Sequence, residues 1–597
     1  MRVRPVGLYP IPMRLGRVQE PLVQPRGRPT PPVDRSTPRR PIAIMGLGSR
    51  IPQPLGGNES GRFRGLRQGR AGGLARFGTL LMRKSDNGAM LSFAVYSNGR
   101  LADKVSLAGA YVVGSDDVPL RAEVSFKNGI VTCKKRAAGP AGLALLWDVP
   151  GAGTILLETI RVQERDKPYI LQVELARGRL MRITHKLEEW GLPEYEGTEQ
   201  LFVRFDQSRN LLIRALQTDH APAAAALGDE ALSLAVQVSE ELSRFHASIF
   251  LARRKQGGGL GRRLFGCSAP LDKPTDTGRK RLAAAFDFVT LPIVWRDIEP
   301  TEQTFNWKPL DAWVEALAKQ PIPLRGSALL SFHEKNVPDW LYIWEHDFDT
   351  IRDLAFEHVR RVINRYGQYI QTWNVACGLH ANNCFTFSFE QLMELSRMAT
   401  ALTKQVCPRA LAVLEIVAPW GEYYARNQRT IPPLLYADMA VQSGVNFDAF
   451  GLQFHFGPAM DGMYVRDMFQ ISCMLDLFGK LGRPLHITAV QVPSGPLLAK
   501  GEAGGGDLAP ADGGSWHGPW SEKVQADWLR RFVEIALSKP FVETVSWHSL
   551  VDQSKPAVPH AGLVRSDLAP KAAYLELMTL RQELLGGGSR SGGDAGA

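Results

Sequence analysis

The hydrophobic pattern of this chain changes period several times, and each change marks a boundary. Residues 1–81 show almost no helical or strand period. From residue 90 the pattern alternates: Leu91–Ser97 reads as one strand, and Leu120, Ala122, Val124 and Phe126 share one face of another. Such alternation predicts half-buried strands. Asn128-Gly129 then supplies the positive-φ pair of a tight hairpin turn, and Gly142–Val149 and Thr154–Val162 predict two further strands. From Pro168 the spacing becomes helical. Val173, Ala176, Leu180, Ile183, Leu187 and Trp190 make one apolar seam, followed by helices expected over 200–216 and 229–253.

Beyond the linker Gly257-Gly258-Gly259, short apolar runs alternate with amphipathic stretches. The runs are Leu264–Ser268, Phe288–Val294, Leu324–Leu330, Gln371–Ala376, Leu411–Ile416, Phe447–Leu452, Leu485–Val490 and Val542–Trp547. Helical segments at 350–366, 389–406, 465–481 and 521–538 lie between them. Eight strands with intervening helices predict a (β/α)8 TIM barrel. The expected organisation is therefore α/β: a disordered Arg/Pro/Gly-rich leader (1–81), a small β-sandwich-like domain (82–165), a helical segment (166–256), the barrel (257–586) and a disordered tail (587–597).

Composition changes this picture at one point. The net charge of +11 suggests a nucleic-acid partner, but residues 1–81 alone carry fifteen Arg against three acids, a net of +12, which leaves the rest at −1. The expected folded body is neutral, with no nucleic-acid partner. The six cysteines show no framework spacing, which suits a reducing compartment. No apolar run is long enough to span a membrane, and neither Met1, Met82 nor Met90 opens a secretory signal. A cytoplasmic location is the expectation. Ile42–Gly48 imitates a dinucleotide fingerprint, but the third glycine is missing and Pro52 and Pro54 forbid the helix that should follow.

In a TIM barrel, chemistry sits at the C-terminal ends of the strands. Those positions hold Trp295, His333, Trp373, Asn374, Glu415, Gln453, His455, Ala489, Gln491 and Trp547. Aromatic walls with amide and imidazole groups suit a neutral polyhydroxylated ligand, with sugar faces on Trp and hydroxyls on Gln, Asn and His. Stacking is expected of Trp295, Trp373 and Trp547, and hydroxyl recognition of His333, Asn374, Gln453 and His455. In the β domain, Tyr96, Tyr111 and Trp147 are either stacking residues for a second glycan contact or core aromatics. No Gly-rich phosphate cradle appears among the strand ends.

Several ordered blocks resemble glycoside hydrolase family 10, the endo-β-1,4-xylanase barrel. They are Trp295-Arg-Asp-Ile-Glu-Pro300 with Phe305-Asn-Trp307, then Pro338-Asp-Trp340, Trp373-Asn-Val-Ala-Cys-Gly378, Phe447–His455, Leu485-His-Ile-Thr-Ala489, Val545-Ser-Trp547 and Pro570–Tyr574. The resemblance implies a barrel that binds β-linked glycans, with no cofactor and no metal. It also implies an acid/base carboxyl at position 378 and a nucleophile at position 489, where this chain has Gly378 and Ala489. Cys377 stands where the family has Asn, and Leu291-Pro292 where it has Glu-Asn.

A retaining glycosidase needs two carboxyl groups about 5–5.5 Å apart, so the expectation is a glycan binder without the standard pair. One alternative is an active hydrolase using a relocated carboxylate, with Glu415 the candidate and Glu334 and Asp552 behind it. Another is a platform for protein partners. Cys377, His380 and Cys384 have a spacing compatible with zinc, but a clear fourth ligand is lacking. The Gly-rich stretch 500–515, with Trp516, His517 and Trp520 after it, reads as a lid over the pocket or a flexible insertion.

Overall fold

The computed structural model describes residues 89–269, 274–318, 322–381, 383–497, 512–553 and 556–585. The leader, the fingerprint-like stretch at 42–48, residues 500–511 and the tail lie outside the described residues.

Two four-stranded sheets open the fold. One runs Ala122–Lys127, Ile130–Lys135, Ala89–Ala94 and, in parallel, Tyr169–Ile170; the other runs Pro119–Leu120, Tyr111–Val113, Gly142–Val149 and Gly153–Glu158. The hairpin expected at Asn128-Gly129 is present, with both residues at positive φ and Lys127 paired to Ile130. Helices follow at Leu171–Trp190, Glu199–Gln217 and Ala221–Gln256. The third begins eight residues before its apolar period does, because Pro222 and an alanine run favour helix without marking a face. Two glycines let these helices press close. A Cβ on Gly178 would lie 2.8 Å from the Glu158 carbonyl, and one on Gly228 would lie 2.9 Å from the Val173 nitrogen.

The eight barrel strands are Phe265–Ser268, Phe288–Pro292, Leu324–Ser327, Ile370–Cys377, Leu411–Ile416, Ala449–His455, Leu485–Gln491 and Val542–Trp547. All are parallel, and the first closes on the eighth through Phe265–Val545 and Cys267–Trp547. The fifth and eighth have the bounds the sequence predicts. The sixth runs on to His455, because Gln453 and His455 keep pairing with Ala489 and Gln491. Among the outer helices, Phe389–Val406 and Met468–Gly479 each start with a capping box, at Ser388 and Asp467. Among the described residues no helix is long and apolar enough to cross a membrane.

One apolar core runs from Leu91 through the helices to Leu584, so the sheets and helices are packed onto the barrel. The loops after the sixth and seventh barrel strands extend the second sheet. Leu156 N–H donates to Val465 (2.8 Å), Val465 N–H to Gly513 (3.0 Å) and Ser515 N–H to Thr154 (2.8 Å). Charges are buried at this seam: Arg179 pairs with Asp467, and Arg466 with Glu422 at 2.7 Å.

Residues 512–521 are therefore built into the body. Trp516 and Trp520 are buried, where the sequence reading offered a lid or a flexible insertion. Glu240 on the long helix accepts from Met468 N–H (3.1 Å), Trp516 Nε1 (2.9 Å) and His517 Nε2 (2.6 Å). Burial disfavours charged His517, and Arg531 opposes it too, but Glu240 outweighs both and leaves the imidazole above its ordinary pKa. Burial also raises the Glu240 carboxyl, and its donors more than reverse that.

The raised imidazole contributes stability in full below about pH 6.5 and loses it as pH climbs through its folded value. The lowered carboxyl contributes above about pH 4.3 and loses it as pH falls through its own. The gap in melting temperature between the wild type and His517→Ala is therefore expected to be widest at about pH 5–6 and to close in alkali. A gap independent of pH would refute the ion pair.

Candidate active site

Parallel strands lay side chains alternately into the lumen and toward the outer helices, and this alternation decides which residues meet at the barrel mouth. On the fourth strand Asn374 faces in. Its amide donates to Ser327 Oγ (3.1 Å) and to Glu415 Oε1 (3.0 Å) on the fifth strand. Cys377 Sγ donates to the other oxygen, Glu415 Oε2, at 2.6 Å. From the sixth strand, Gln453 Nε2 donates to Cys377 Sγ at 3.8 Å, and Gln453 Oε1 lies 3.2 Å from His455 Nε2. Because the amide nitrogen is spent on sulfur, its oxygen meets His455, so Nε2 carries the ring proton and donates. The His455 ring meets that of His548 edge to face, with centroids 5.2 Å apart.

The electrostatics follow from burial. Desolvation drives His455 down to about 3, with His548 adding to the effect, so the imidazole is neutral across the physiological range. Burial lowers His548 as well. Burial, and then Glu415, push the Cys377 thiol well above its ordinary value, which removes it as a thiolate nucleophile. Both Glu415 oxygens are taken up by side-chain donors, and the residue is 1% exposed. The mouth thus holds a polar network in which Glu415 accepts from Asn374 and Cys377, and Cys377 leads on to Gln453 and His455.

Position 489 lies on the seventh strand with its Cα paired to Gln453, so the two side chains point the same way, into the lumen. Gly378 directly follows the fourth strand at φ +63°, a conformation that costs an L-residue about 1–2 kcal/mol.

The three tryptophans are elsewhere, and the stacking expected of them is corrected. Trp373 is fully buried, on the opposite face of its strand from Asn374, with its ring against Gly326. Trp547 donates to the Ala561 carbonyl (2.8 Å) and, with Leu529, Phe532 and Leu577, lines a small apolar cavity between the barrel wall and the outer helices. Trp295 is stacked on His358 at 4.4 Å and donates to Glu299 at 3.1 Å. Adjacent strand residues cannot both face the mouth: taking Trp373 inward excludes Asn374, and taking Trp547 inward excludes His548.

His548 is the mouth residue that sequence reasoning missed. Its signal was the polar alternation Thr544, Ser546, His548 between apolar Val545 and Trp547. His333 is half-buried in the loop after the third strand, where its Nδ1 accepts from Lys335 N–H (3.1 Å), outside the Glu415 cluster.

Cys377, His380 and Cys384 do not converge on a metal. His380 Nε2 accepts from Val417 N–H (3.2 Å) and its Nδ1 bonds the Tyr423 hydroxyl (2.6 Å), so both ring nitrogens are committed. Among the described residues no cluster of His, Cys, Asp or Glu is arranged to hold a metal ion.

Residues 265–402, covering the first four barrel strands, match the family model described as Glycosyl hydrolase family 10. Over 298 residues the chain is 22% identical to an endo-1,4-beta-xylanase/feruloyl esterase of Xylanibacter ruminicola, covering 45% of this chain and 38% of that protein. The chain thus spans about two fifths of the length of that curated relative. Among solved structures it is similar to native xylanase 10B from Thermotoga maritima, at 17% identity and TM-score 0.42 over 56% of this chain and 98% of that one. It is also similar to xylanase 10B from Thermotoga petrophila in complex with xylobiose, at 18% identity and TM-score 0.41 over 56% of this chain and 97% of that one.

Proposed function

We propose that this chain, xylanase-like in its barrel, binds a β-linked xylo- or gluco-oligosaccharide at the barrel mouth and does not hydrolyse it by the retaining route. One observation carries the reading: glycine and alanine stand at 378 and 489, where the resemblance puts the carboxyl pair. Without them the mouth has no general acid, a contribution of about 10²–10⁴-fold, and no covalent path. What it keeps is a ring of donors and acceptors in Asn374, Gln453, His455 and His548, suited to sugar hydroxyls. A relocated acid at Glu415 is disfavoured by its burial, 1% exposed and tied to Asn374 and Cys377 below the mouth surface.

The test is long incubation of the full chain with xylo-, cello- and manno-oligosaccharides, read by mass spectrometry, with Glu415→Gln alongside. Intact sugars in both samples, with saturable binding by calorimetry, are the expected result. Shortened products from the wild type alone would overturn the reading and make Glu415 a catalytic acid.

A further inference from the structure

Away from the barrel mouth, a cavity of about 700 Å³ opens where the first hairpin, the Gly142–Val149 strand and the start of the long helix Ala221–Gln256 meet. Its size falls within the roughly 300–1,000 Å³ of small-ligand pockets. Two half-buried aromatic residues line it, Tyr96 and Trp147, and around them stand Asn98, Lys104, Asp148 and Asp229. Leu146 packs with Tyr111 and Leu156 and borders the cavity beside Trp147, Asp148 and Val149 of the same strand. The Asn98-Gly99 turn, both residues at positive φ, joins Tyr96–Ser97 to Arg100–Leu101 and holds the hairpin tip beside the opening. Asp229 sits by the Trp147 indole and the Gln172 amide, and burial raises its carboxyl to about 6, so near neutrality it is mainly an ionised acceptor. Tyr111, the third aromatic candidate of this region, is buried with its hydroxyl 3.2 Å from Arg466 and takes no part.

Carboxylates outnumber cations on the lining, with Asp148, Asp229 and Asp512 against Lys104, so phosphates and uronic acids are disfavoured. Aromatic faces next to side chains that donate and accept suit a ring with apolar CH faces and equatorial hydroxyls. We infer that this cavity is a second binding site, for an uncharged saccharide. The choice of ligand rests on the carbohydrate reading of the barrel; the site itself does not.

Calorimetry of the full chain with xylohexaose and cellohexaose tests it, using Ala489→Trp to fill the mouth. Gln453→Ala serves instead if the tryptophan variant melts unlike the wild type. With the mouth closed, one site is expected to remain, weakened about tenfold by Tyr96→Ala and severalfold by Asn98→Gly, which keeps the turn and deletes the amide. Loss of all binding in the mouth variant would overturn the second site and leave the barrel reading standing. An isotherm unchanged by the mouth variant but abolished by Tyr96→Ala would do the reverse. Preference for spermidine over both sugars at the Tyr96 site would overturn the ligand class.

Discussion

Replacing Arg466 by methionine is expected to cost about 3–5 kcal/mol of stability. Arg466 is completely buried in the loop after the sixth barrel strand. Its guanidinium donates to Glu422 (2.7 Å) and to the Tyr111 hydroxyl (3.2 Å), and lies over the Trp420 ring at 4.5 Å. Glu158 stands 3.9 Å away.

The two acids differ in what they keep when the arginine goes. Glu158 is also paired with Arg161 at 3.2 Å and Arg182 at 2.5 Å. Burial works against its charge, yet these arginines hold its carboxyl down at about 2. Glu422 has Arg466 as its one ion-pair partner among the described residues. Removing that partner leaves a carboxylate with 1% side-chain exposure and no ion-pair partner among the described residues. The cost is thus mainly that of stranding Glu422 and not the worth of the pair, so Arg466→Met with Glu422→Met should recover most of the loss. Chemical denaturation of the two single variants and the double closes the cycle. Additive losses, or less than about 1 kcal/mol for Arg466→Met, would show that the pair contributes little.

Arg466 also shows where sequence reading stops. The barrel was legible because its signal is periodic: apolar strand runs and helical faces recur, and the fifth and eighth strands fall where the runs do. The network around Arg466 joins two sheet strands, a helix and two barrel loops, and nothing in the local pattern of any of them encodes the pairing. The mouth was legible in part. Asn374, Gln453 and His455 fall at strand ends that the apolar runs mark, but the bond from Cys377 to Glu415 joins residues 38 apart. Trp373 and Trp547 illustrate a different failure. A motif names consecutive residues, whereas a strand separates them to opposite faces, so a one-residue choice decides between core and site. The polar set Thr544, Ser546, His548 carried the right answer for the eighth strand, because a lumen that tolerates polar groups faces an apolar helical layer.

On the binding mode proposed for the mouth, Ala489→Glu is expected to create a site that is trapped covalently by activated substrates only. The side chain at 489 points into the lumen beside Gln453, so a glutamate there reaches the space in which the ligand's anomeric carbon would sit. Attack by its carboxylate forms a C–O bond at that carbon and expels the leaving group with the electron pair. A dinitrophenolate leaves without a proton, so no acid is needed. A sugar hydroxyl does need one, and its absence is worth about 10²–10⁴-fold. Position 378 cannot readily supply that acid, since a glutamate would have to adopt the left-handed backbone Gly378 has at φ +63°. A dinitrophenyl β-xylobioside should therefore release about one equivalent of phenolate in a burst and leave a glycosyl adduct on the peptide carrying residue 489. Natural xylo-oligosaccharides should stay intact, and the wild type should show neither burst nor adduct. A folded Ala489→Glu protein that binds the sugar yet forms no adduct would mean that the ligand does not lie over the seventh strand. The binding mode proposed for the mouth would then be wrong, even if the sugar is right.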